Sequence, residues 1–593
     1  MTDTRVVPQS VARSVRADGA VILTSRHALG PVADTTGDWL HDWAARTPDA
    51  VFLAERSGPG WREVNYAEAL QQVRALAAWL LDQPEQGPVM MISGNSVDHG
   101  LLALAAQYIG RANVPVAEQY SLIPGAHDRL IYVVEKVRPS LIYVDNAIRY
   151  AEALALPQLA DIPVVASLPE GAPRPVTPMA EALKAGRGDV AAAHDLVTPD
   201  TVGKILFTSG STSHPKGVLT THRMMCVNQT QIADAFPVLR AEPPKILDWL
   251  PWNHVFGGSH NFNMMLAHGG ALYIDDGKPT DALFPRTLEN MQMHVGTLSF
   301  NVPVGYARQV AALRADADLR RRFFTGLHFT FYAGASLPQE TWDALGDMAR
   351  EVTGDVPLMV SSWGMTETAP AVLLTHERIT RSGIVGAPLA GTEVKLLPED
   401  EGRYELRVKG PNVMPGYFED PEKTAAAFDG EGFLITGDAV RFVTEDDPDR
   451  GLRFDGRISE DFKLTSGTWV RVAALRGALM TALDGLAADV VVTGHDRAEL
   501  GVLIFPASSV SGDGACTDPA WMEQVRARLA PLAAAATGSS TRVGRALILT
   551  EPPSLETQEM TAKGNLNTRK VLDRRADLVG RLYDDADPAV IRP

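Results

Sequence analysis

The stretch T-S-G-S-T-S-H-P-K-G at residues 208–217 gathers hydroxyl side chains, two glycines and one lysine. Backbone N–H groups, hydroxyl donors and a mobile ammonium can together surround a polyanion. Composition alone reads a Ser/Gly-rich connector, but the order of hydroxyls, glycines and lysine is the one a phosphate loop needs. It is not the common NTPase loop, G-x-x-x-x-G-K-[ST]. Lys216 precedes Gly217, and the strand-like Val218-Leu219-Thr220 follows where that motif requires a helix. A second group stands at residues 359–368, M-V-S-S-W-G-M-T-E-T, where an apolar run delivers Ser, Gly, Thr and the carboxylate of Glu367 to one end. Mg2+ beside phosphate is typically held by one or two such carboxylates. Residues 329–336, F-T-F-Y-A-G-A-S, make a similar run ending in Gly334, Ala335 and Ser336. His254, His260 and His268 invite a metal reading. No carboxylate or cysteine accompanies them at ligand spacing, which favours pocket or core histidines.

These groups need strands to carry them. Ile205-Leu206-Phe207 has the look of a short buried strand running into the loop, and strand ends that deliver polar groups to one edge are how open α/β sheets build sites. Upstream, residues 1–32 read as an extended leader, and residues 36–81 turn helical, with apolar residues at three- and four-residue spacings. Residues 87–92 are strand-like, and Asn95-Ser96 can cap a helix over 99–108. Apolar segments follow at 141–144 and 163–165, and the Pro-rich residues 168–200 read as a connecting stretch. The tail from residue 456 has its own pattern, with strands near 490–492, 502–505 and 546–549 and alanine-rich helices around 471–488 and 520–536. Alternation of this kind predicts α/β layers.

Composition bounds the function. At 593 residues the chain exceeds one typical domain, and 45% hydrophobic with 21% charged residues is ordinary for a globular protein. Lys and Arg number 55 against 72 Asp and Glu, a net charge of −17, which argues against nucleic-acid binding. Cys226 and Cys516 form neither a disulfide framework nor a zinc spacing. The N-terminus lacks an apolar signal core, and no run of about 18 apolar residues is present to span a bilayer. The expected location is the cytoplasm, with no membrane partner.

The loop resembles the phosphate loop of the acyl-adenylate-forming superfamily, [ST]-S-G-[ST]-T-G-x-P-K-G, departing from it at Ser213, where the family usually has glycine. W-G-M-T-E-T matches the family's [YW]-G-x-T-E. The string D-W-L-P-W-N-H-x-F-G-G-x-H-N-F at 248–262 resembles feruloyl-CoA synthetases in particular. The resemblance implies an α/β fold, with a large multi-sheet N-terminal adenylating domain over residues 1–455 and a smaller, mobile α+β C-terminal domain over 456–593. It implies that Thr208, Ser209, Gly210, Ser211, Thr212 and Lys216 take the β- and γ-phosphates of ATP. Gly334, Ala335, Ser336, Ser362, Trp363 and Gly364 would line the adenine and acyl pockets, and His254 would gate the acyl pocket. Thr366 would contact phosphate, Glu367 would hold Mg2+, Asp438 the ribose hydroxyls, and Arg457 ribose or phosphate. The interdomain hinge falls at Ser459, with Glu460 as the alternative.

The family's catalytic lysine usually sits in [ST]-G-K-[IVL], which would place it at Asn565. This chain carries T-x-K-G-x-[IL]-N, as feruloyl-CoA synthetase-like sequences do, and Lys563 is the residue assigned. The activity implied is two-step: a small carboxylic acid is adenylated by ATP, and CoA then displaces AMP. Hydroxycinnamates such as ferulate are the expected acids, with other aryl or medium-chain acids next. An amino-acid-activating domain would need a downstream carrier domain, for which the chain leaves no room after Pro593. A non-catalytic nucleotide sensor would be expected to lack Lys563 or Glu367, and both are present.

Overall fold

A computed structural model describes residues 4–208, 214–334, 337–399, 402–554, 556–560 and 566–593. Its internal contacts divide the chain into two units. The first comprises Met1–Pro398, Leu406–Thr436 and Arg441–Phe454, and the second Glu399–Glu405, Gly437–Val440 and Asp455–Pro593. Asp438, which a linear reading of the chain places in the first domain, therefore groups with the second unit.

In the first unit a seven-stranded sheet runs in the order 216–221, 202–208, 113–115, 89–91, 141–146, 164–168, 177–178. All its pairings are parallel except the edge pair Val202–Thr208 with Lys216–Thr221. A parallel sheet is covered on both faces, so its strands read as continuous apolar runs. Val89–Met91 is buried throughout, and the Leu/Ala-rich helix Val97–Tyr108 beside it is buried along its whole length. Ser96 starts that helix, its hydroxyl accepting the His99 N–H at 3.1 Å.

A second sheet of eleven strands ends in three parallel strands, Leu298–Asn301, Phe329–Tyr332 and Leu358–Gly364. A third, four-stranded sheet contains Lys245–Asp248, Ala271–Ile274 and the hairpin Val51–Ser57/Gly60–Asn65. The second unit holds the sheet Ala487–Thr493, Leu500–Pro506, Val543–Ile548. Its strands alternate with period two: Val490, Val492, Val502 and Ile504 enter one core, while Val491, Leu503 and Phe505 enter the other. The fold class is the expected one, mixed α/β with a large N-terminal part and a smaller C-terminal part.

Three local expectations are corrected. The supposed leader contains strands Val11–Val15 and Val21–Ser25, which pair with each other and then with Glu393–Pro398. Only a partner nearly 400 residues away identifies them as sheet. The helical run over 36–81 is two helices, Thr36–Arg46 and Tyr66–Leu81, separated by the hairpin Val51–Ser57/Gly60–Asn65. The connecting stretch 168–200 contains the helices Met179–Ala185 and Val190–His194. Cys226 and Cys516 are both buried free thiols. Among the described residues no helix is long and apolar enough to cross a membrane.

Candidate active site

The phosphate-loop hairpin places Thr208 directly opposite Lys216, one on each arm at the mouth of the loop. Ser209, Gly210, Ser211 and Thr212, with Ser213, lie outside the described residues. The Lys216 arm is clasped from its other side by residues 416–418. Phe418 donates its N–H to Gly217 O at 2.7 Å, Leu219 donates to Gly416 O at 3.2 Å, and Val218 bridges Tyr417. Gly217 suits this close packing, because a Cβ there would lie 3.1 Å from Ile205 and from Phe207.

That clasp puts the Tyr417 ring under the lysine. The Lys216 ammonium stands 4.8 Å from the ring centroid, and the Tyr417 hydroxyl donates to Glu367 Oε1 at 2.9 Å. Glu367 and Thr366 sit on the tight turn Thr366–Thr368 that follows the strand Leu358–Gly364, and both are buried. Met414 N–H donates to Glu367 O at 2.8 Å, and the Asn412 amide donates to Thr368 O at 2.8 Å, so the 410–418 loop fixes the turn. Burial and the neighbouring Glu367 charge push the Tyr417 phenol well above its ordinary value. A cation, a phenol and a carboxylate from three distant parts of the chain thus form one row.

The neighbouring strand ends are less available than their sequence implies. Ser362 donates its hydroxyl to Leu373 O at 2.7 Å, and Trp363 is buried. Gly364 meets the backbone rather than open space, since a Cβ would fall 1.9 Å from Pro370 O. Gly334 has φ +87° with nothing within 4 Å of a would-be Cβ, so its conformation requires glycine and its face is open. Ala335 and Ser336 lie outside the described residues.

Residues 249–262 form a turn and a π-helical segment, Phe256–Asn261. Asn95 holds the entry with both ends of its amide, donating to Leu250 O at 2.9 Å and accepting from Trp252 N–H at 3.0 Å. Gly257 and Gly258 let the segment lie on the 250–252 backbone; Cβ atoms would come within 2.3 Å of Leu250 O and 2.1 Å of Trp252 O. His254 stands just before the segment, its Nδ1 accepting the Phe256 N–H at 3.3 Å.

The carbonyls of the buried π-segment are held from the phosphate-loop side. The buried Lys204, on the strand that leads to the loop, donates to Gly258 O. Gln229, on the helix His222–Ala235, donates to Ser259 O at 3.3 Å and His260 O at 3.2 Å. Among the described residues no carboxylate pairs with Lys204, and burial lowers its ammonium to about 7. His260 lies among Phe331, Phe300 and Phe256, at centroid distances of 4.9, 5.5 and 5.7 Å. His268 is buried at the end of the helix Phe262–Ala267. Among the described residues no three His, Cys, Asp or Glu side chains are placed to hold a metal ion by themselves.

In the second unit Asp438 lies in the strand Leu434–Phe442, buried, with Arg457 Nε 3.5 Å from its Oδ1. Ser459 and Glu460 occupy the short turn Ile458–Glu460. The fully buried Arg403 grips both sides of that turn, reaching Asp455 at 3.0 Å and Asp461 at 2.8 Å, and also Glu399 at 2.8 Å. Lys563 lies outside the described residues. Flanking it, Met560 and Leu566 pair antiparallel, and the buried Glu559 accepts from Arg575 at 2.6 Å.

Tyr417, Lys204, Gln229 and Arg403 escape a reading of sequence alone. Tyr417 leaves a faint signal, an aromatic hydroxyl in the G-Y-F turn, and Lys204 another, a lone cation heading a buried apolar strand.

An AMP-binding enzyme family model matches residues 40–418, and a model of the AMP-binding enzyme C-terminal domain matches 462–587. A long-chain-fatty-acid–CoA ligase of Salmonella typhimurium is 29% identical over 284 residues, 46% of this chain and 47% of that protein. The chain thus spans about half the length of such relatives. A 3-hydroxybenzoate–CoA ligase of Aromatoleum sp. is 26% identical over 401 residues, 66% of this chain and 71% of that protein. The crystal structure of the anthranilate CoA ligase AuaEII in complex with anthranoyl-AMP superposes with a TM-score of 0.72 at 18% identity, covering 93% of this chain and 99% of that one, a likeness of fold. With a family model spanning most of its first unit and a second spanning most of its tail, the chain belongs to the AMP-binding enzyme family.

Proposed function

We propose that the protein is an ATP-dependent acid–CoA ligase whose acid is a hydroxycinnamate such as ferulate. The observation that carries this reading is the Lys216–Tyr417–Glu367 row at the mouth of the phosphate loop. It brings a cation and a carboxylate to the two ends of one tyrosine, the charges a metal-bound polyphosphate calls for. Membership of the AMP-binding enzyme family and the relatedness to two CoA ligases support the reaction class.

In the first step an acid oxygen bonds to the α-phosphorus and the α–β P–O bond breaks, releasing pyrophosphate. Thr208, Ser209, Gly210, Ser211, Thr212 and Lys216 are assigned to the departing phosphates, and Thr366 to the phosphate nearest the turn. Glu367 fits Mg2+: it is a buried carboxylate with one oxygen fixed by Tyr417, and phosphates can supply the remaining ligands. The ion, when bound, would neutralise charge on the phosphates. Gly334, Ala335, Ser336, Ser362, Trp363 and Gly364 are assigned to adenine and the acid, and Asp438 and Arg457 to the ribose. Lys563 is assigned to the α-phosphate. In the second step the CoA sulfur attacks the acyl carbonyl and AMP leaves, after movement about Ser459 or Glu460. Positioning and charge neutralisation are the protein's whole contribution to such chemistry.

The acid assignment rests on the Trp249–Phe262 string and on the mutual ring contacts of Phe256, Phe300 and Phe331, which would suit a flat ring. The test is a pyrophosphate-release screen over carboxylic acids, with and without CoA. Hydroxycinnamates are expected to give the highest kcat/KM and a CoA-dependent thioester. Faster turnover of acetate or octanoate than of every hydroxycinnamate would reject the substrate, and no release with any acid would reject the ligase.

A further inference from the structure

The hydrogen bonds of Asn261 determine which nitrogen of His260 carries the proton. Asp248 accepts the Leu250 N–H on Oδ1 at 3.2 Å and the Asn261 amide nitrogen on Oδ2 at 2.9 Å; burial raises this carboxyl to about 7, and when it is ionised Asn261 Oδ1 is the atom 2.8 Å from His260 Nδ1. A carbonyl oxygen can only accept, so Nδ1 bears the hydrogen and Nε2 is left as a bare acceptor. That Nε2 is buried and has no hydrogen-bond partner among the described residues, in a side chain only 1% exposed. Burial also depresses the imidazole to about 4, so the ring stays neutral near pH 7. Its neighbours are the rings of Phe256, Phe300 and Phe331.

An acceptor in an aromatic enclosure selects its complement narrowly. A carboxylate would oppose its lone pair, and an ammonium would lose its hydration among the phenylalanines. A neutral O–H borne on a flat apolar ring meets both demands at once. We propose that His260 Nε2 recognises a hydroxyl group on the aromatic ring of the acid, making His260 a specificity-determining residue. This rests on the acid-activating reading above and deepens it by naming the residue that senses the ring hydroxyl.

The test compares 4-hydroxycinnamate and 3-hydroxycinnamate with cinnamate in pyrophosphate release by the full-length protein. A buried group left unpaired by the wrong substrate discriminates strongly, so at least one hydroxylated acid should exceed cinnamate in kcat/KM by roughly 10²-fold. His260→Phe should bring that ratio close to one by slowing only the hydroxylated acid. His260→Gln, whose amide oxygen can accept, should restore part of it. A structural role alone would slow all three acids together and leave the ratio intact.

Three results would overturn the proposal: a wild-type ratio near one for both phenols, an unchanged ratio in His260→Phe, or equal losses for all acids. The wild-type ratio decides the matter even if His260→Phe fails to fold. Turnover of acids without hydroxyl preference would reject this inference alone, whereas turnover of no acid at all would reject the ligase reading with it.

Discussion

The two sides of the first unit differ in the company their chemistry-bearing groups keep, although Thr220 Oγ1 and Asn412 Oδ1 on the phosphate side are also buried without hydrogen-bond partners among the described residues. On the phosphate side, Lys216, Tyr417 and Glu367 stand in contact, each group facing a complementary one. On the side of the π-segment, His260 Nε2, Ser259 Oγ, Asn263 Nδ2, Trp252 Nε1 and Gln229 Oε1 are buried without hydrogen-bond partners among the described residues. Buried polar groups are ordinarily satisfied, and each exception calls for a reason. The contrast teaches how two ligand parts are received. A polyphosphate brings its own strong charges to a row already balanced internally. A small organic acid offers one or two weak hydrogen-bonding groups, and only an unsatisfied pocket can distinguish their presence from their absence.

The largest effects expected concern the phosphates: Glu367→Ala should abolish use of Mg·ATP, and the lysine assigned to the α-phosphate follows. Lys563→Ala should lower ATP-dependent pyrophosphate release by about 10²–10³, the usual loss for one preorganised donor acting on transition-state charge. The same variant should still convert supplied acyl-AMP and CoA to thioester. Full ATP–pyrophosphate exchange by Lys563→Ala would mean that another lysine does the work.

Next comes the internal balance of the row. Tyr417→Phe, which removes only a hydrogen bond to a charged acceptor, should cost about tenfold in kcat/KM for ATP. Because the row belongs to the phosphate side, KM for the acid should hardly change in Tyr417→Phe. A rise in acid KM equal to that for ATP would erase the distinction between the sides.

The smallest effect concerns Lys204, which sits on the phosphate-loop strand yet donates to Gly258 O of the π-segment. Lys204→Met should raise KM for the acid by about threefold to tenfold, as loss of one hydrogen bond to a positioning carbonyl would, and leave KM for ATP unchanged. Its stability has a defined pH dependence as well. Burial holds the folded ammonium at about 7 against an ordinary 10.5, so between those values the unfolded chain binds a proton the folded chain lacks. Stability therefore gains from this group as pH rises through that window. Thermal denaturation at pH 7 and pH 9 should show wild type improving relative to Lys204→Met. An unchanged difference would place the ammonium's pKa at its ordinary value.

Much of the scaffold was legible from local pattern. Val490-Val491-Val492 and Val502-Leu503-Ile504-Phe505 read as strands because apolar β-branched runs bury on both faces, and they are strands. Ser96 was readable as a cap because its hydroxyl acts within three residues. The strands at 11–15 and 21–25 were not legible, since their hydrogen bonds depend on each other and on residues 393–396. The hairpin at 51–65 was hidden between two true helices whose period dominated the window.

By itself, then, the sequence determined the order of the polar motifs and the charges they bring: Lys216 beside a run of hydroxyls, Glu367 after a strand, Asp438 after a glycine. Those are properties of residue type and near spacing, which local chemistry settles. Tertiary structure alone decided that Tyr417 joins Lys216 to Glu367, and that Ser362 is occupied by Leu373 O. It alone decided that Lys204, on the first strand of the phosphate-loop hairpin, and Gln229, on the helix that follows it, hold the π-segment, and that Asn261 orients His260. The physical reason is that a hydrogen bond's worth depends on burial and on a partner's position to within a few tenths of an ångström. Neither quantity is a property of any short stretch of chain.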